Sequence, residues 1–459
     1  MNDNNKKPKS LSWGNKEFLA LNITQALGAL NDNAFKMMVT LLIVDLIVNP
    51  QIGSRYVSLV SAVFVIPFIL FSTFAGFLAD RFSKRTVLIY SKAMEIAVMG
   101  IGVLALYLKS VPFMIATLFF MALQSTFFGP AKYGILPEML DSRELSNANG
   151  ILNLYTFLAI ILGTVTGGIF LHITKPDYYL AGFGFVLIAV LGTISSFFIT
   201  DVPPAACETR FDWNPVRQFY RDIKDVSKNR VLFLCILGIS YFWFIGSIFQ
   251  IDILLYGKNL MNISNTGISI FLAVLAIGMG FGSGLAGKMS ADQIELGFVP
   301  LGSLGMGIFS LDLVSASYSS LRVGTDLFFL GTFAGFFVVP LNALLQERSP
   351  HDQKGKMIAT SNIVSFLGML IASAAAWFLT DKIGLDPAKT LGVIALIAFG
   401  ATIYTLRLLP EAFIRLILWL LTHTIYKIKI FGKENVPQKG PALLVVNHLS
   451  YVDPLLVGA

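Results

Sequence analysis

The sequence predicts an all-α membrane protein: twelve spans in two six-helix halves, then an interfacial helix and the opening of an α/β domain. Three observations predict it. The chain is 55% hydrophobic and only 13% charged, whereas soluble domains carry about 25% charged residues. Apolar runs long enough to cross a bilayer, ~20 residues, recur near 18–47, 55–79, 86–108, 112–131, 150–172, 178–200, 231–256, 264–287, 293–317, 323–345, 357–380 and 388–407. The longest polar interruption, 201–230, leaves six runs on each side. The runs are continuous rather than alternating, which implies helices and not a barrel.

The N-terminal segment "MNDNNKKPKSLSWGNKEF" lacks the short apolar core and small-residue cleavage site of a signal peptide. The first run is therefore expected to stay in the membrane. Basic residues gather on one set of loops: Lys6, Lys7, Lys9 and Lys16 before the first span, Arg81, Lys84 and Arg85 after the second, and Arg217, Arg221, Lys224 and Lys228 in the central linker. The positive-inside rule then places the N-terminus in the cytoplasm. The net charge of +7 thus marks topology, not a nucleic-acid partner. Cys207 and Cys235 provide no disulfide framework, and no motif calls for a cofactor or a metal.

These features divide the chain into an N-terminal half (1–200), a cytoplasmic linker with a surface helix (201–230), a C-terminal half (231–408), an interfacial helix (409–432) and the start of a further domain (433–459). The helix at 409–432 is apolar but carries Arg415, His423, Lys427 and Lys429, which suits the membrane surface better than its interior. A weak repeat links the halves. At an offset of 209 residues, Glu138 meets Glu347, Asn153 meets Asn362, Phe157 meets Phe366 and Leu158 meets Leu367. Two duplicated halves around a cytoplasmic loop form a transporter plan.

"GFLADRFSKRTVL" (76–88) joins the second and third spans. Gly76 allows two helices to approach closely, and Asp80 can accept hydrogen bonds from a neighbouring helix N-terminus or pair with Arg81. Lys84 and Arg85 hold the loop in the cytoplasm. A plain basic turn would need no more than that. The stretch resembles the loop signature of the major facilitator superfamily, which implies the twelve-span fold and gives Gly76, Asp80, Arg81, Lys84 and Arg85 the role of a conformational latch for the outward-open state. The second-half counterpart, "GLAGKMSAD" (284–292), keeps Gly284 but has Lys288 in the acid's place.

"LGALNDNAFKMMV" (27–39) sets Asn31, Asp32, Asn33 and Lys36 at membrane depth, where ionisable side chains are costly and suggest a functional site. Asp32 and Lys36 are four apart, so they share a helical face and can neutralise one another. Such a cluster could grip a zwitterionic or anionic headgroup; the alternative is a pair that only fixes helix packing. In "QSTFFGPAKYGILPE" (124–138), Gly129-Pro130 kinks or ends the fourth span. Lys132 and Glu138, with the repeat-related Glu347, are inner-gate candidates, against an ordinary helix-ending turn. Lys92 and Glu95 are expected to pair within the third span. "LGTVTGG" (162–168) and "GMGFGSGLAG" (278–287) read as small-residue packing faces.

"ALNDNAFK", "GPAKYGILPE" and "ANGILNLYTFLAIILGT" together resemble the bacterial lysophospholipid transporter family of that superfamily. The resemblance implies a multi-pass protein of the bacterial cytoplasmic membrane that moves lysophospholipids, such as lysophosphatidylethanolamine, from the outer to the inner leaflet. Two other readings stand beside it. One is a proton-coupled exporter of drugs or other amphiphiles, with Asp32 as the titrating carboxylate; the other is a membrane-anchored phospholipid acyltransferase.

The second follows from "GPALLVVNHLSYVDP" (440–454), an apolar run, His448 and, after four residues, Asp453. His448 could take the proton from a glycerol hydroxyl as it attacks an acyl thioester, with Asp453 orienting the imidazole. Asp453-Pro454 would also serve as a helix N-cap followed by Pro at the first helical position. The stretch resembles the first motif of glycerolipid acyltransferases, which implies an acyl carrier protein or coenzyme A thioester as donor. Residues 433–459 are too few to bury a core of their own. A truncated transporter–acyltransferase fusion is therefore expected, able to transport but not to acylate.

Overall fold

The computed structural model describes residues 15–47, 50–205, 214–290, 293–316 and 319–425. Among them, helices are the regular elements and no strand occurs. The N-terminal half comprises α1 (Lys16–Leu46), α2 (Pro50–Arg81), α3 (Lys84–Tyr107), α4 (Val111–Gly134), the single turn α5 (Leu136–Met139), α6 (Leu145–Ile173) and α7 (Tyr179–Ser196). The linker carries α8 (Pro215–Ser227). The C-terminal half follows with α9 (Arg230–Asn259), α10 (Asn265–Met289), α11 (Phe298–Leu313), α12 (Ser320–Arg348), α13 (Lys354–Trp377) and α14 (Pro387–Leu408), and α15 (Pro410–Ile425) comes last.

Local sequence sets several of these boundaries. Asn15, Asn229 and Asp386 each accept hydrogen bonds from the first free backbone N–H groups of α1, α9 and α14. Among the described residues, eleven helices are long and apolar enough to span a membrane, and α11 is shorter at 16 residues. The run over 293–317 gives only this short helix because its first residues form a turn. There Glu295 Oε1 accepts from the Gly297 N–H at 3.0 Å, while Glu295 Oε2 pairs with Arg415 of α15 at 2.9 Å. The small-residue face of α6 packs as expected: a Cβ on Gly163 or Gly167 would collide with the carbonyl oxygens of Leu30 and Ala34 on α1. With no side chain in the way, the two backbones meet directly.

The hydrophobic cores tell how the halves are joined. Around the α2–α3 turn the cores mix the halves, because Phe157 and Ile160 of α6 pack with C-terminal residues. Ala343 of α12 likewise joins a core of N-terminal residues that includes Ala79 and Leu88. At the opposite end each half has its own core: Phe35, Met38, Leu106 and Phe185 in one, Phe249, Phe271, Leu327 and Leu391 in the other. The bundle is thus fastened at the α2–α3 end, and the halves are packed independently at the other.

Candidate functional site

The Asn-Asp-Asn segment lies mid-way along α1 and is partitioned by helix geometry. Asp32 is 8% exposed and turns toward α4, where its Oδ2 accepts from Ser125 Oγ at 2.5 Å and its Oδ1 lies 3.5 Å from the Gln124 amide. Lys36 extends over the Phe64 ring of α2, 4.7 Å from its centroid. The neutralising Asp32–Lys36 pair expected from their spacing is not formed, since hydroxyl and amide donors on α4 take the carboxylate. Lys36 and Lys132 remain near enough to act electrostatically on Asp32.

The flanking asparagines work elsewhere. Asn31 is fully buried and donates to Glu95 Oε1 at 2.8 Å. Glu95 is ion-paired with Lys92, as expected one turn apart on α3. Lys92 in turn fits against Gly28 and Gly192, and its carbonyl accepts from Thr193 Oγ1 at 3.1 Å. This buried charge pair ties α1, α3 and α7 together. Asn33 donates to the Ala29 carbonyl within α1 at 2.7 Å and abuts Gly163 of α6. Of the four residues, Asp32 and Lys36 are the two whose charged groups face neighbouring helices of the half, α4 and α2.

At the fastened end, the Gly76–Asp80 stretch joins the two halves. Asp80 Oδ1 accepts from the Gly355 N–H at 2.6 Å and Oδ2 from the Lys356 N–H at 2.8 Å, capping α13 across the interface. A Cβ on Gly76 would stand 2.6 Å from that of Ala359 and 2.7 Å from the Gly355 carbonyl oxygen, so glycine is required for this approach. The basic members turn away: Arg81 lies over Phe77, and Arg85 donates to the Phe197 carbonyl at 2.7 Å. Lys84 goes inward to Glu138 Oε1 at 2.6 Å, with side chains 0% and 7% exposed.

That pair takes Glu138 away from Lys132, which instead lies 4.5 Å from the centroid of the Tyr133 ring. Glu347 points outward beside Arg348, at 3.6 Å. The structure therefore does not assemble Lys132, Glu138 and Glu347 into one gate. Two polar contacts, one across the halves and one from the C-terminal half to the linker helix, were not legible from spacing. Asn149 and Gln346 exchange amide hydrogen bonds at 2.8 and 2.9 Å. Lys356 Nζ meets Asp225 at 2.7 Å and Asp222 at 3.4 Å on α8. His448 and Asp453 lie outside the described residues.

A family model described as Major Facilitator Superfamily matches residues 21–373, and one described as Acyltransferase matches residues 427–459. Among curated proteins, the chain is 29% identical to the lysophospholipid transporter LplT of Enterobacter sp. (strain 638), over 85% of this chain and 94% of that protein. It is also 29% identical to the protein of the same name from Klebsiella pneumoniae (strain 342), over 84% of this chain and 93% of the relative. Among solved structures, the fold is similar to the human organic anion transporter MFSD10, with a TM-score of 0.68 and 13% identity over 85% of this chain and 100% of that one. A bacterial homologue of the iron transporter ferroportin in its outward-facing state gives 0.64 and 14% identity over 84% of this chain and 98% of that one. With its two helical halves fastened through the α2–α13 cap and a family match over most of its length, the chain belongs to the Major Facilitator Superfamily.

Proposed function

We propose that the chain carries lysophospholipids, such as lysophosphatidylethanolamine, from the outer to the inner leaflet of a bacterial cytoplasmic membrane by alternating access. The N-terminus lies in the cytoplasm, so the fastened end faces inward and the independently packed end outward. One observation carries the reading: Asp32 is a buried carboxylate held by Ser125 of α4, while Lys36 and Lys132 of the same half lie over the Phe64 and Tyr133 rings and not on an acid. A phosphoethanolamine headgroup presents the complementary charges, with its ammonium for Asp32 and its phosphate for the lysines. The lysophospholipid transporters that align with most of the chain support the same substrate. Asn31 and Asn33 hold the α1 segment that presents Asp32, and Gly76, Asp80 and Lys84 keep the inner end closed until the headgroup arrives.

The acyltransferase-like segment supplies the sequel. A lysolipid delivered to the inner leaflet lacks one acyl chain, and an enzyme with His448 as base and Asp453 as its orienting partner would restore it from an acyl thioester. The two steps share one membrane face.

Binding of labelled lysophosphatidylethanolamine to the purified protein tests the headgroup site. Saturable binding that weakens about tenfold in Asp32→Asn and in Lys132→Met is expected, in line with the loss of one charged contact. Displacement of the label by cationic drugs as readily as by unlabelled lysolipid would favour an amphiphile exporter instead.

A further inference from the structure

Between the halves, near the fastened end, α4, α6, α9, α12 and α13 enclose a cavity of about 90 Å³. Its polar lining is uncharged. Asn153 comes from α6, Asn342 and Gln346 from α12, Ser361 and Asn362 from α13, and Trp243 from α9. Gln346 is engaged with Asn149. Asn153, Asn342 and Asn362 form no hydrogen bond with the protein among the described residues, so their amides are open to whatever fills the space.

The location connects this space to the charged cluster. Gly129 lies one turn of α4 beyond Ser125, which holds Asp32, and a Cβ there would be 3.5 Å from Asn362 Nδ2. Asn153 and Asn362 are also the residues matched by the internal repeat, 209 positions apart. The duplication has put equivalent amides on the two walls of one cavity.

The chemistry of the lining selects its ligand. A primary amide offers a donor and an acceptor at once, and the group that answers both is a hydroxyl. A phosphate or ammonium group buried here would find no opposite charge in the lining. The cavity admits a hydroxyl-bearing glycerol carbon, whereas the ester of a diacyl lipid would bring no O–H donor to it. A lysolipid differs from its diacyl parent in having a free glycerol hydroxyl where the parent has an ester. We propose that the Asn153–Asn342–Asn362 cavity binds this free glycerol hydroxyl and thereby excludes diacyl lipid. The inference rests on the lysolipid reading above and adds the group by which that substrate is told apart. Because its walls come from both halves, the ligand is read only where the two halves meet.

The test compares lysophosphatidylethanolamine with the analogue in which hydrogen replaces that hydroxyl, both titrated against the purified full chain. The wild type is expected to bind the hydroxylated lipid about tenfold more tightly, the worth of one or two buried hydrogen bonds. Asn153→Leu and Asn362→Leu should lose this preference while keeping the wild-type affinity for the deoxy analogue. Equal binding of both lipids by the wild type, or a preference that survives in the leucine variants, overturns the inference and leaves the lysolipid reading standing. Binding of neither lipid overturns both. The wild-type comparison needs no variant, so a poorly folded leucine protein does not weaken it.

Discussion

Asp80 in the N-terminal half and Lys356 in the C-terminal half are joined through the backbone: the carboxylate caps the helix that Lys356 helps to begin, at 2.8 Å. The Lys356 ammonium is thereby freed to reach α8, where it meets Asp225 at 2.7 Å. One residue therefore fastens the second half both to α2 and to the linker helix. Helix N-termini favour negative charge, so the closed end is stabilised by an acid that sequence alone places one turn from a basic loop.

Asp80→Asn keeps the shape but removes the charge that faces the α13 N-terminus. The ratio of closed to open protein at this end is expected to fall about tenfold, corresponding to ~1–2 kcal/mol for a charged cap. Pulsed electron-spin distances between labels at Phe82 and Asp352 would report a second, longer population.

The linker contact has a pH signature. Hydrogen bonds from Lys228 and Lys356 hold the Asp225 carboxyl below its usual range, while burial raises that of Asp222. A depressed carboxylate contributes above its ordinary value and loses that contribution as pH falls through the depressed one. The raised one gives up its charge earlier on the way down. Attachment of α8 should therefore not weaken as Asp222 is neutralised, because a carboxyl raised in the attached state holds its proton more tightly there, and should fail only below about pH 4, the ordinary aspartate range, as Asp225 loses its charge. Asp225→Asn should remove this step, seen as faster proteolysis of the linker across the titration.

The Lys84–Glu138 pair makes a different prediction, because both side chains are almost wholly buried. Lys84→Met leaves Glu138 without its ion-pair partner and should lower stability by ~3–5 kcal/mol. Lys84→Met with Glu138→Gln should recover much of that. Thermal unfolding in detergent of the two single variants and the double variant measures the coupling.

The same logic separates Asn31 from Asp32. Asn31→Ala deprives Glu95 of a donor and should cost ~1–3 kcal/mol of stability. Residual folded protein should keep most of its affinity for lysolipid, because Asn31 acts on the substrate only through the segment that presents Asp32. Asp32→Asn should do the reverse.

Much of this was legible in the sequence, and what was not has a common cause. The spans, the linker helix, the small-residue packing face of α6 and the Lys92–Glu95 pair follow from apolar run length, small-residue spacing and the helical repeat, which act within one element or on one face. The cap by Asp80 was legible as one of two possibilities, and packing at Gly76 and Gly355 decides between them. By contrast, the spacing of Asp32 and Lys36 permitted a pair that interhelical donors displaced. Helical periodicity gives the face on which a side chain lies but not the neighbour across it. Lys84 meeting Glu138 and the amides gathering from α6, α12 and α13 depend on contacts far apart in the chain. The shortened α11 reflects Glu295, whose partner Arg415 lies 120 residues on.

The central claim is lipid movement, and its most direct measurement is the transfer of labelled lysophosphatidylethanolamine across proteoliposomes containing this chain, with and without an imposed proton gradient. The account predicts transfer that needs no gradient, is lost in Asp32→Asn, and is unchanged in His448→Ala. Transfer that appears only with the gradient, or that the Asp32→Asn protein sustains at the wild-type rate, would contradict it.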